Sequence, residues 1–120
     1  MKVASRKVYI LELPSGAYAL ADPGGLEVDR GEAIGFENQT ANDAALFIAE
    51  ENVLVEAHPL TGVLLPRGAV TPFTVASDAE PGAHEYQVLV TLRSGRRVFA
   101  VGSSTPRIII RPPTQVSMSV

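Results

Sequence analysis

Residues 81–88 read Pro81-Gly82-Ala83-His84-Glu85-Tyr86-Gln87-Val88, and the pattern they begin runs on to residue 92. His84, Tyr86, Val88, Val90 and Leu92 fall on one face of an extended chain, while Glu85, Gln87, Thr91 and Arg93 fall on the other. A period of two marks a strand with one buried and one wet side. An apolar face of this length places the strand at the centre of a β-core. Pro81-Gly82 before it and Ser94-Gly95 after it are turn signals, and glycine accepts the positive φ that a tight hairpin demands. A two-residue hairpin loop would set Arg93 opposite Arg96, an unfavourable pairing of like charges.

The same punctuation recurs along the chain. Pro14, Gly16, Pro23-Gly24-Gly25, Gly31, Gly62, Pro66, Gly68, Gly102, Pro106 and Pro112-Pro113 separate short β-rich runs. Turn signals spaced in this way indicate an antiparallel sandwich or barrel. Strands are expected over residues 8–13, 17–20, 32–38, 44–49, 53–56, 69–76, 84–92, 97–101 and 107–111. A short helix competes only in the segment NDAALFIAEENVLVE. The expected fold is therefore all-β, an antiparallel Greek-key β-sandwich. Residues 1–112 form a single domain in this reading, and 113–120 a flexible tail without periodicity.

Composition narrows the function classes. With 120 residues, 46% of them hydrophobic, the chain can bury one core. No apolar run approaches the roughly 20 residues of a membrane-spanning helix. The apolar stretch near the N-terminus is broken by Glu12 and Pro14, which favours a cytoplasmic protein over the alternative of a secreted or periplasmic one whose signal has been removed. A net charge of −3 gives no general attraction to nucleic acid. Cysteine is absent, which excludes disulfides and thiol catalysis. Pro23-Gly24-Gly25 lacks the lysine and helix of a phosphate loop. Asn38-Gln39-Thr40 fits a glycosylation sequon, a short motif of low specificity.

Three stretches together, GEAIGFENQT, LLPRGAVTPFTVASDAEPGAHEYQV and the closing RIII, resemble the cupredoxin-like family of Greek-key sandwiches. That family has a strand ending in Asn before its first histidine ligand, a Gly-containing turn feeding an F-T strand, and the run PG-x-Y-x-Y/F-x-C. Phe36 and Asn38 match the first part, Gly68, Phe73 and Thr74 the second, and Pro81, Gly82 and Tyr86 the third. The immunoglobulin-like sandwich is the alternative. The departures are at the metal ligands: Val88 stands where the resemblance implies cysteine, QTANDAALF has no histidine, and TLRSGRRVFAVG replaces the Cys-to-Met loop. A type 1 copper centre needs two imidazoles and a thiolate. The resemblance thus implies the fold without copper, with no cofactor and no redox role.

His84 takes the place of a family tyrosine that ties down the preceding corner, and is expected to bond a backbone group. His58 has no second ligand at a spacing that argues for a metal site. Ser77-Asp78 reads as turn chemistry rather than as part of a catalytic triad. Arg93, Arg96 and Arg97 form the one dense charge cluster and are the candidate protein-binding residues, because guanidinium groups suit anionic partners. Without interleaved aromatics the cluster does not suit single-stranded nucleic acid. The expected function is a non-catalytic protein-interaction or assembly module, not an enzyme and without a copper site. Its partner is another protein or a second copy, with no nucleic acid and no membrane. The alternative is a small-ligand-binding or enzymatic domain with an unrecognised pocket.

Overall fold

The computed structural model describes residues 6–102 and 105–113. Nearly all of the expected tail, residues 114–120, lies outside them. Ten strands follow in order: β1 (Arg6–Glu12), β2 (Ala19–Asp22), β3 (Gly25–Val28), β4 (Ala33–Asn38), β5 (Ala44–Ile48), β6 (Val63–Leu65), β7 (Val70–Thr74), β8 (Gly82–Thr91), β9 (Arg97–Phe99) and β10 (Arg107–Ile110). They form two sheets, one ordered β2-β1-β4-β7 and the other β3-β10-β8-β5-β6 with β9 paired to β8. Most neighbours are antiparallel; β1–β4 and β3–β10 are parallel. No helix among the described residues is long and apolar enough to cross a membrane.

Alternation decides which side chains meet between the sheets. Val8, Ile10, Ile34, Phe36 and Phe73 from the first sheet face Leu46, Tyr86, Val88, Val90, Ile108 and Ile110 from the second, all essentially inaccessible to water. Phe36 is the hub, with its ring edge-on to Phe73 at 5.5 Å and to Tyr86 at 5.2 Å. Such perpendicular pairs suit the ring quadrupoles. Val101 exchanges backbone hydrogen bonds with Ala19 and Ala21, both 3.0 Å, which stitches the sheets along one side.

Four details differ from the reading of the sequence. Residues 53–56 form no strand; a single Leu54–Val75 bridge remains within a looping segment. Asn52 and Leu60 hold positive φ values of 59° and 67° there, which turns the chain out of an extended path. β3 and β6 are additional short edge strands, and β1–β4 and β3–β10 are parallel pairs in a sandwich expected to be antiparallel. The fourth concerns the hairpin. Leu92 N–H donates to Arg96 O at 2.7 Å and Gly95 N–H to Leu92 O at 2.8 Å, so the loop is the three residues 93–95 with Gly95 at φ 92°. Arg96 therefore stands opposite Leu92, and the expected opposition of Arg93 and Arg96 does not occur.

Candidate functional site

At the end of the sandwich where β4 stops and β8 reaches its hairpin, Asn38 is fully buried. Its Nδ2 donates to Leu65 O at 2.8 Å and Asn42 O at 3.0 Å, and its Oδ1 accepts from Thr40 N–H at 2.9 Å. The Thr40 hydroxyl lies 2.7 Å from Asn38 Oδ1 and 2.9 Å from Asn42 O, and its single proton serves one of them at a time. Asn42 Nδ2 in turn donates to Thr91 O at 3.0 Å and Leu92 O at 3.2 Å. These bonds close the loop after β4 onto the end of β8. A buried amide is stable only when so satisfied.

This is where the resemblance would put a metal, and the residues do not fit one. Val88 is wholly buried and pairs with Leu46 across β5–β8. The strand continues past Val88 to Thr91 and returns as β9, so the chain that would carry the remaining ligands is an ordinary hairpin. No thiolate or imidazole faces the position. Among the described residues there is no group of three or more His, Cys, Asp or Glu side chains able to hold a metal ion.

The arginine hairpin sits on the rim of the same end. Both carboxylate oxygens of Glu12 accept from the Arg93 N–H at 3.1 Å, which fixes the loop against the end of β1. Arg96 reaches Ala17 O at 3.4 Å, while Arg97 lies on β9 opposite Thr91. The three residues are exposed. Arg67 is on this rim as well, 3.3 Å from Ala41 O, with its backbone N–H held by Asp43. Arg111 is not: it makes a forked pair with Asp29 at 2.9 and 3.0 Å at the opposite end, and that bond raises its pKa further. Beside Arg93 lies an open hollow of about 370 Å³ lined by Glu12, Leu13, Pro14, Gln39 and Ser94, among others.

At the far end His84 is 7% exposed, with Nε2 at 2.7 Å from Glu80 O and Nδ1 at 2.9 Å from Glu50 Oε1. The backbone contact is the one expected from the sequence; the Glu50 contact joins residues 34 apart and carried no sequence signal. Both partners are acceptors, so a ring protonated on both nitrogens satisfies both, whereas a neutral ring donates to one. His58 meets Glu51 at 3.2 Å, also unforeseen, and both are largely exposed. Ser77 and Asp78 form a turn. Tyr86 is the odd case: its hydroxyl is buried without a hydrogen-bond partner, and burial pushes its pKa up.

No protein-family model and no curated protein sequence matches the chain. Solved structures do. A reduced amicyanin mutant aligns with a TM-score of 0.58 at 12% identity, over 92% of this chain and 86% of that one. A Cu(I) amicyanin mutant at pH 4 gives 0.57 at 15% over the same shares. A purple cupredoxin from Nitrosopumilus maritimus gives 0.53 at 14%, over 88% of this chain and 99% of that one. The fold is thus that of the cupredoxins, here in a chain that lacks their copper ligands.

Proposed function

We propose that this domain is a non-catalytic protein-interaction or assembly module. The observation that supports it most is the state of the ligand end: the interior positions are apolar or closed by amide hydrogen bonds, while the rim carries exposed guanidinium groups, of which Arg96 and Arg67 each make one long bond to a backbone carbonyl. Among the described residues no acceptor lies within hydrogen-bond distance of the Arg93 or Arg97 guanidinium. Such donors form charge-assisted pairs readily when an anionic surface arrives. Replacing Arg93 and Arg96 by Gln should leave folding stability within about 0.5 kcal/mol, since both are exposed. Binding of an acidic partner should weaken and lose much of its salt dependence, because charges on the surface are screened over about 8–10 Å. Equal affinity of the wild type and the double variant at low and high salt removes the arginines from the interface.

The small-ligand alternative has one feature in its favour, the hollow beside Arg93. A thermal-shift screen with small anionic metabolites separates the two readings, since a ligand that binds only the native state raises its unfolding temperature. As to compartment, the likeness of fold to amicyanin supports the secreted or periplasmic alternative over the cytoplasm, and fractionation of cells making the native protein checks this.

A further inference from the structure

The outer face of the β8 sheet is apolar where a lone sandwich would present polar side chains to water. The strand registers put Leu64 opposite Ala45, Ala45 opposite Leu89, and Leu89 opposite Phe99. The row crosses β6, β5, β8 and β9, and its neighbours Val63, Leu46, Val90 and Val98 turn inward to the core. One row further on, Phe47 pairs with Gln87, and Val101 follows Phe99 by two residues. Leu64 is 59% exposed, Phe99 49% and Val101 41%. Contiguous apolar patches mark interaction surfaces, whereas single exposed residues do not.

Charge shows what covers it. Arg97 lies on one side of β8, paired with Thr91. Asp43 lies on the other side, one residue before the Ala44–Val90 pair and therefore level with Thr91. Both are exposed, and Asp43 accepts the Arg67 backbone N–H through Oδ1, with no partner for its second carboxylate oxygen among the described residues. A two-fold axis running along β8 carries β9 of one copy over β5 of another. Under that operation Phe99 meets Ala45, Val101 meets Phe47, Leu89 meets its own mate, and Arg97 meets Asp43 twice. At the opposite margin Glu85 approaches its mate, each beside the Arg107 that pairs with it across β10–β8. Isologous contacts require this kind of self-complementarity, and aligned sheet packing at about 10 Å is an ordinary way to make one.

We propose that a second copy of this chain docks on the outer face of β5–β8–β9. The proposal rests on the reading of the domain as an interaction module and names one partner for it. Four strands over about seven residues give a face roughly 20 Å on a side. That is roughly 800 Å² buried over the two copies, less than a standard stable interface and suited to a weak, reversible dimer.

Sedimentation equilibrium of the intact chain from about 1 μM to about 500 μM tests it. The expected result is a monomer–dimer equilibrium that Leu89→Arg abolishes with the monomer still folded by circular dichroism. Arg97→Asp should weaken the dimer about fivefold or more, since it sets like charges together at two symmetric places. Adding Asp43→Arg to Arg97→Asp should restore it. The variant with Arg93 and Arg96 replaced by Gln should dimerise like the wild type, because both lie beyond the row at the hairpin end, where the loop is tied to Glu12 and Ala17. A monomer throughout, a dimer indifferent to Leu89→Arg, or a double swap that fails to restore association overturns the proposal. A monomer that still binds an acidic partner through Arg93 and Arg96 would sink the dimer alone and leave the interaction module standing.

Discussion

Asn38 and His84 are buried polar side chains at opposite ends of one sandwich, and they are held in different ways. Around Asn38 every contact is neutral: two carbonyls accept from its amide, and a backbone N–H and a hydroxyl lie at its oxygen. Around His84 one partner is a backbone carbonyl and the other is Glu50, whose side chain is 57% exposed. The first cluster ties together three loops that must be closed if the interior is to stay dry. The second ties a corner to a solvated side chain that water can replace. The difference teaches that the end where the fold's metal would sit is now held by hydrogen bonds in a closed, neutral arrangement. The end away from the ligand positions keeps one contact to an exposed carboxylate.

If that contrast is right, replacing Asn38 by Leu should give the largest loss of stability, about 3 kcal/mol or more. Leu65 O and the Thr40 groups would then be buried without their partner. A midpoint in urea unfolding close to that of wild type would show that the closed end contributes little. His84→Leu should cost less, about 1–2 kcal/mol, because Glu50 returns to water and only the Glu80 carbonyl loses a buried donor. Equal losses at the two positions would erase the comparison.

Tyr86, between the two ends, should give the smallest effect, and of opposite sign. Its hydroxyl has no partner, so Tyr86→Phe removes a buried polar atom at no loss of contact and should stabilise by about 1 kcal/mol. Its pKa in the folded chain is raised above the ordinary value of about 10 by burial. The neutral phenol is therefore favoured by folding. That contribution is complete below about pH 10 and is lost as pH rises beyond it, when the unfolded chain gives up its proton first. The Phe variant should show a flatter decline in stability above that pH. A steeper decline, or destabilisation at neutral pH, would mean that the hydroxyl is bonded after all.

Much of this was legible in the sequence because period-two patterning fixes a face. Val88 and Val90 read as buried from their spacing, and they are; Ser94-Gly95 marked a turn that is present, whereas the turn before β8 falls at residues 76–79 and Gly82 is already the first residue of the strand. The short edge strands were not legible. β3 starts inside the turn signal Pro23-Gly24-Gly25, and β6 is three residues whose strand character comes from pairing with β5 rather than from their own pattern. Residues 53–56 show the converse, since Val53 and Val55 favour strand locally while the surrounding turns limit the pairing to one bridge, Leu54–Val75, with its two flanking backbone bonds. The hairpin register turned on one residue of loop length, which moved Arg96 from Arg93 to Leu92. The Glu50, Glu12 and Asp43 contacts and the apolar row on the outer face exist only through register between distant strands. No window along the chain contains them.

At the ligand end of this cupredoxin fold the described residues form a closed, hydrogen-bonded structure with no set of copper ligands. Equilibrium dialysis against copper, with metal analysis and thermal unfolding of the same samples, tests it directly. A site that binds only the folded chain would raise its stability by about 2.7 kcal/mol at a free copper concentration one hundred times its dissociation constant. Substoichiometric copper, no intense visible charge-transfer band and an unchanged unfolding temperature are expected. One tightly held copper per chain that raises the unfolding temperature, and that Asn38→Leu or a change at Val88 removes, would contradict it.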